Sequence, residues 1–304
     1  MIGAPTVILC YHRVAGGVSD PYRLCVTPEH FAAQVELLGR RASFVTLDEV
    51  TVPSRSPRVV LTFDDGYADN LHAAVPIARR AGVPLTVYVA TGLVGDTRGF
   101  WWDRLAQIVR FDPGDAPAQA ALQVGETAFA ATIDGPDNAL KARADLHRLL
   151  RPMAPDRIAA VLVDLAEQLG RPAEAPADAR PLTAGELATL AAEPGVTIGA
   201  HTVDHPLLRA QSADRQRETM VASRDALRES LGRDVTHFAY PFGGTDSFDT
   251  TTVTLARSVG FSTATTTVPG SVGRSPDPHA LRRRLVMDWP APRFRAQMLR
   301  WGIL

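Results

Sequence analysis

The chain has 304 residues, 45% of them hydrophobic and 21% charged, which is enough apolar material for one barrel-sized domain or two smaller ones. Its 32 Lys and Arg against 33 Asp and Glu leave a net charge of −1, which gives no reason to expect nucleic acid, an anionic membrane or a polyanion as the main partner. Two cysteines, Cys10 and Cys25, make no disulfide framework, and no apolar run approaches membrane-spanning length.

The N-terminus runs into Thr6–Cys10 with no basic leader and cleavage site ahead of it, so a cytoplasmic location is the expectation. Val7 to His12 reads as a buried strand that ends in polar residues, with Cys10 a small core residue within it. Thr27 is an N-cap with Pro28 at the first helical position, and Phe31, Val35 and Leu38 follow at helical spacing. A short strand covers Ser43 to Leu47 and a stronger one Arg58 to Phe63. Ala68 to Ala81 reads as a helix closed by Gly82, and Val83 to Thr91 as a strand. This alternation is that of a parallel α/β sheet or barrel.

The rhythm then changes. From Gly99 to Arg180 no strand pattern stands out. Helices are marked by Trp101, Leu105, Ile108 and Val109, by Leu146, Leu149, Leu150 and Met153, and by Ile158, Val161, Leu162, Leu165 and Leu169. Residues 171–181 read as a linker rich in Ala and Pro. Residues 99–181 are therefore expected to be a helical insertion within a single domain spanning 1–304.

The alternation returns at Thr183, which forms a capping box with Glu186. Val196 to Ala200 is a strand ending in His201, and Ala213 to Leu231 a helix closed by Gly232. Thr236 to Tyr240 is a strand that runs into Pro241-Phe242-Gly243-Gly244. Phe248 to Val259 is a helix, Phe261 to Thr265 a strand, Leu281 to Met287 the last strand and Phe294 to Trp301 the last helix.

Polar residues collect at the C-terminal ends of these strands, the edge on which parallel α/β barrels build active sites. Asp64 and Asp65 end a buried strand side by side and repel each other unless a cation or a proton is shared. Either they form a turn and helix cap, or a metal takes one and leaves the other as a base. His201 and His205 are four residues apart. If the segment turns helically from its strand, both imidazoles point one way and join Asp65 on one metal; otherwise they are surface or capping histidines.

Thr62-Phe63-Asp64-Asp65-Gly66, His201-Thr202-x-x-His205 and Phe238-Ala239-Tyr240-Pro241-Phe242-Gly243 together resemble the motifs of the polysaccharide deacetylases with a NodB homology domain, carbohydrate esterase family 4. The resemblance covers most of the chain outside the insertion. It implies an α/β fold, a distorted (β/α)7-type barrel, and metal-dependent removal of N-acetyl groups from sugars, or of O-acetyl esters in some branches. It also implies that Asp65, His201 and His205 hold a divalent metal, zinc first, with cobalt or nickel as alternatives. Asp64 would be the general base, and the backbone N–H of Phe242, in place of the family's usual Tyr, would help hold the oxyanion.

The chain departs from that pattern at two further places. The third motif usually opens with an Arg that orients the base, and here Ala239 stands there. Arg283 is the candidate replacement, with Arg282 and Arg284 as neighbouring alternatives. No LxHD segment closes the chain. Instead Leu9-Cys10-Tyr11-His12-Arg13-Val14 opens it, which resembles the branch that includes bacterial poly-N-acetylglucosamine deacetylases. His12 would then be the general acid; the other reading is a satisfied histidine at a strand end.

Trp101 and Trp102 either pack the insertion or offer an aromatic wall to a sugar ring, with Asp103 accepting a hydroxyl. Tyr240 joins them as a substrate-binding candidate. Asp69 and Asp204 read as caps or supporting partners, and Asp204 could orient an imidazole. The expected substrate is an N-acetylated sugar in a polysaccharide, oligosaccharide or glycoconjugate. An O-acetyl esterase or another amidase of the same fold, and a carbohydrate-binding module with a dead site, are the competing readings. Nothing in the sequence sets the oligomeric state.

Overall fold

A computed structural model describes residues 4–304. The chain divides into two compact units, Met1–Val94 with Leu182–Leu304, and Gly95–Pro181.

The first unit is built on seven parallel strands. They are β1 Thr6–Tyr11, β2 Arg58–Phe63, β3 Leu85–Val89, β4 Val196–Ala200, β5 His237–Ala239, β6 Thr263–Pro269 and β7 Leu281–Leu285. Each pairs with the next, and β7 pairs back to β1, so the sheet closes into a barrel. A two-residue strand, Ser43–Phe44, lies beside the start of β2, shorter than the Ser43–Leu47 expected. Every residue of β1, β2 and β3 is buried, as strands covered on both faces must be. Alternation sorts them: Ile8, Val60, Tyr88, Ala239 and Leu281 pack together in one cluster, while Val7, Leu9, Tyr11, Val59, Leu61 and Phe63 pack in another with helix residues such as Phe31 and Val35.

Two irregularities bear on the site. Between Thr265 and Pro269 the register of β6 against β7 shifts by a bulge. Its Thr266 carbonyl is thereby available to accept from the Arg283 side chain, as described below. The second lies after β2. The expected helix over 68–81 is not uniform: Asn70–Ala74 is a π turn, and Val75–Ala81 is α. Pro76 supplies the cause, because proline has no N–H to donate and its ring crowds the carbonyl four residues back, so the preceding turn opens.

The second unit contains helices Trp101–Ile108, Pro136–Leu150 and Pro155–Leu169. It also contains an antiparallel hairpin, Ala118–Val124 with Thr127–Ile133, which corrects the expectation of a purely helical segment. The hairpin's inward positions include Ala120, Leu122, Val124, Phe129 and Ile133, with alanines at most positions between. Alanine favours helix, so the period of two was hard to see. Those inward residues pack with Leu105, Leu146, Leu150, Leu162 and Leu165. Among the described residues no helix is long and apolar enough to cross a membrane.

Candidate active site

The strand ends β2 and β4 converge on a buried triad. Nε2 of His201 and Nε2 of His205 each lie 3.4 Å from Oδ1 of Asp65, and all three side chains are almost wholly buried. His201 Nδ1 sits 2.8 Å from the carbonyl of Ala239, which can only accept, so Nδ1 carries the proton. Nε2 of a neutral His201 then has only a lone pair to turn toward the Asp65 oxygen. Burial pushes His205 down to about 3, so it is neutral near pH 7. With neutral imidazoles, acceptors face an acceptor across 3.4 Å, an arrangement that calls for a shared cation. One carboxylate and two imidazoles with ligand atoms within 4.8 Å of one another fit a divalent ion with room for a further ligand.

Local backbone strain builds this triad. The expectation that His201 to His205 turn helically is not met, because the segment is an irregular loop. Thr202 and His205 both take left-handed φ, of 65° and 53°. The His205 N–H donates to Thr202 Oγ1 at 3.1 Å, the Val203 N–H to Thr219 Oγ1 at 3.0 Å, and the Gly92 N–H to the Val203 carbonyl at 2.7 Å. Asp65 (φ 75°) and Phe242 (φ 61°) are left-handed as well. Among the described non-glycine residues only Arg23 shares this conformation outside the site and its loops. Each such residue costs about 1–2 kcal/mol, and such strain concentrates where geometry serves function.

Asp64 has a different environment. Arg283 reaches it with both terminal nitrogens, Nη1 to Oδ1 at 2.7 Å and Nη2 to Oδ2 at 2.6 Å. Arg283 is itself fully buried. It also donates from Nη1 to Thr62 Oγ1 at 3.0 Å and from Nε to the Thr266 carbonyl at 2.8 Å, and lies over the Tyr88 ring at 5.6 Å. Burial alone would raise the Asp64 carboxyl, but the Arg283 charge and its fork of hydrogen bonds overcome this and hold it well below the usual carboxylate range. Cys10, read from sequence as a small core residue, also directs its Sγ to Asp64 Oδ2 at 3.4 Å. The available signal was strand period, which puts Cys10 on the face of β1 that leads to His12. A His12 ring nitrogen, Cys10 Sγ and an Asp64 oxygen lie within 4.8 Å of one another, with His12 half-buried.

The remaining candidates divide. The Phe242 ring packs edge-on against His205 at 4.6 Å, and its carbonyl accepts from Thr267 Oγ1 at 2.7 Å. The structure does not bring Tyr240 to the site as a substrate contact. Its side chain is fully buried, stacked on Phe248 at 4.9 Å, and its hydroxyl donates to the His279 carbonyl at 2.7 Å. Asp204 does not orient an imidazole; it binds Arg215 at 2.9 Å and accepts from Thr219. Asp69 pairs with Arg13 at 2.9 Å. Trp101, Trp102 and Asp103 belong to the second unit, where Trp102 stacks on Phe100 at 5.0 Å and Trp101 on His147 at 4.9 Å.

With this geometry in view, comparison with known proteins is direct. The sequence model described as Polysaccharide deacetylase matches residues 51–113 and 168–264. YxkH of Bacillus subtilis (strain 168), which carries a polysaccharide deacetylase name, is 28% identical over 284 residues, 91% of this chain and 69% of that protein. Among solved structures, the Streptococcus pyogenes deacetylase PplD, determined in complex with acetate, superposes with a TM-score of 0.61 at 20% identity over 97% of this chain and 98% of that one. IcaB from Ammonifex degensii does so with a TM-score of 0.61 at 20% identity, covering 99% and 98%. These structural likenesses establish a shared fold, the NodB-like barrel.

Proposed function

This chain belongs to the polysaccharide deacetylase family, and on that footing we propose that it is a metal-dependent hydrolase that removes N-acetyl groups from an acetamido sugar of a polysaccharide, oligosaccharide or glycoconjugate. Membership of that family makes the chain a carbohydrate deacetylase. One observation carries the metal-dependent mechanism: two adjacent carboxylates sit in opposite surroundings. Asp65 faces two imidazole nitrogens, while Asp64 is forked to a buried arginine.

Asp65, His201 and His205 would hold the ion, with zinc the first candidate and cobalt or nickel as alternatives. When bound, such an ion would polarise the acetyl carbonyl and acidify a water, which suits a base as weak as Asp64. Asp64 accepts the proton of the attacking water on its carboxylate, and Arg283 keeps that carboxylate aimed and ionised. The Phe242 backbone N–H answers the charge that develops on the acetyl oxygen. His12, with a ring nitrogen within 4.8 Å of an Asp64 oxygen, delivers a proton to the nitrogen as the C–N bond breaks. The products are acetate and the free amino sugar.

The test is Asp64→Asn. It should retain the bound metal, measured by elemental analysis, and lose acetate release from N-acetylglucosamine oligomers. Near-normal turnover in that variant would remove Asp64 as the base. Faster acetate release from an acetylated xylan than from the oligomers would overturn the choice of amide over ester.

A further inference from the structure

His12 sits where β1 has already ended. The chain resumes pairing one residue later, at Arg13–Val14, which run parallel with Cys25–Val26. At that gap the His12 carbonyl accepts from Asn70 Nδ2 at 2.8 Å. The same amide nitrogen donates to Asp69 Oδ1 at 3.2 Å. Asp69 Oδ1 also accepts the Val14 N–H at 3.1 Å, and Asp69 Oδ2 accepts Arg13 Nε at 2.9 Å. Arg13 is nearly fully buried, with its guanidinium over the Tyr67 ring at 5.0 Å. Residues 12, 13 and 14 are therefore each bonded by Asp69 or Asn70.

The chemistry of Asn70 shows that this contact is selected over alternatives. Both groups beside its nitrogen are acceptors, so the NH2 must face them. Its Oδ1 is then left buried with no hydrogen-bond partner among the described residues. Such an unmade bond costs about 1–3 kcal/mol. Asn70 also opens the π turn, where the Val75 N–H bonds the Asn70 carbonyl five residues back. Turns of this kind collect at functional sites. Asp69 and Asn70 follow Asp64 and Asp65 by five residues each, on the turn that leaves the strand carrying the proposed base.

We propose that Asn70 and Asp69 are positioning residues for His12: they clamp the backbone at and after it to the turn that follows Asp64, so that acid and base keep a fixed separation. This rests on the acid role proposed for His12. Neither residue touches the substrate in this account; both act through His12.

The consequence is selective. An amine must be protonated as it leaves, whereas an aryl oxide from an activated ester departs unaided. Five proteins are compared as metal-loaded enzymes: wild type, Asn70→Ala, Asp69→Asn, His12→Ala and the double variant Asn70→Ala with His12→Ala. Each is assayed on N-acetylglucosamine oligomers and on 4-nitrophenyl acetate, with metal content measured alongside. Asn70→Ala and Asp69→Asn should lower kcat on the amide by about 10- to 100-fold, part of the 10²–10⁴ that a general acid contributes, and change KM by less than about twofold. Turnover of the aryl ester should stay within about threefold of wild type, and metal content should not change. The ratio of the two activities does not depend on the fraction folded, so a poorly folding variant still answers. The double variant Asn70→Ala with His12→Ala should be no slower on the amide than His12→Ala alone, because the clamp has nothing left to position. The proposal falls if amide turnover is unchanged, if both substrates slow together, or if the two substitutions add. If His12→Ala itself slows both substrates equally, the acid role is what has failed, and the result is distinct from failure of the clamp.

Discussion

Arg283→Met is the sharpest test of the electrostatics around Asp64. The wild-type guanidinium is fully buried and contributes four hydrogen bonds, two of them to Asp64 at 2.7 and 2.6 Å. Methionine fills similar length without charge. Asp64 would be left as a buried carboxylate beside the Cys10 thiol. Breaking a buried ion pair by removing one partner costs about 3–5 kcal/mol. At about 2–4 °C per kcal/mol for a domain of this size, the melting temperature should fall by about 10 °C. The effect on chemistry is separate. Burial is the largest influence on Asp64 and raises its pKa; the Arg283 charge and hydrogen bonds are the largest influences that oppose it, ahead of His201 and His12. Without it the carboxyl rises above the ordinary value of about 4, and the base becomes protonated over part of the working range. Amide kcat should fall by at least about 10²-fold, and the acid limb of kcat/KM should move to higher pH. Arg283→Lys keeps a charge but not the fork, and should fall between. The assays are acetate release against pH and a thermal melt at constant metal content. A folded Arg283→Met enzyme with an unmoved acid limb and kcat within about threefold of wild type would refute the account.

Three further predictions follow from the same geometry. A chelator should abolish acetate release and zinc or cobalt should restore it, while Asp65→Ala and His201→Ala should each fail to retain the ion in elemental analysis. The metal-free protein should lose stability as pH falls from about 6.5, the ordinary histidine value, toward 3, because burial lowers His205 to about 3 and the unfolded chain takes up the proton first. Denaturant melts at several pH values would show this, with Asp64 adding a second loss below about pH 4, since its folded carboxyl is also held low. A flat profile between pH 6.5 and 4 would contradict the neutral, buried state of His205. Tyr240→Phe deletes only the bond to the His279 carbonyl, so it should cost about 1–2 kcal/mol of stability and leave KM and kcat unchanged; a raised KM would return Tyr240 to the substrate site.

Much of the barrel was legible because its strands are short apolar runs with clear boundaries. Arg58–Phe63 was read to the residue, and the neighbouring Asp64-Asp65 could be flagged because two carboxylates at a buried strand end pose an electrostatic problem in any fold. Other features needed three dimensions. His201 and His205 were paired on helical spacing, yet they meet through a loop with two left-handed residues, a conformation that Thr and His do not advertise. Tyr240 stood among the substrate-binding candidates, but it follows Ala239, which packs in the interior cluster with Tyr88, and alternation sends Tyr240 into the other cluster with Phe238. The hairpin at Ala118–Ile133 was hidden by its alanines. The bonds of Asn70 to His12 and of Cys10 to Asp64 span 58 and 54 residues of sequence, and nothing local encodes them.

The arginine question shows why linear motifs under-describe a closed barrel. The usual position for the base-orienting arginine is held by Ala239, at the end of β5. On a flat reading that is a missing part. In the ring, β2 is separated from β7 by β1 alone, and inward side chains from every strand meet in one interior. Ala239 packs there with Tyr88 and Leu281, and Arg283 crosses the Tyr88 ring to reach Asp64. The physical requirement is that a buried carboxylate has a charged, forked donor, and several strands can supply it. Which strand does so depends on room: alanine at 239 and the bulge in β6, which offers the Thr266 carbonyl to Arg283 Nε, together make β7 the strand that serves. A second arginine introduced as Ala239→Arg would therefore not duplicate the function. It would place two buried guanidinium groups on one carboxylate and cost stability unless Arg283 were removed with it.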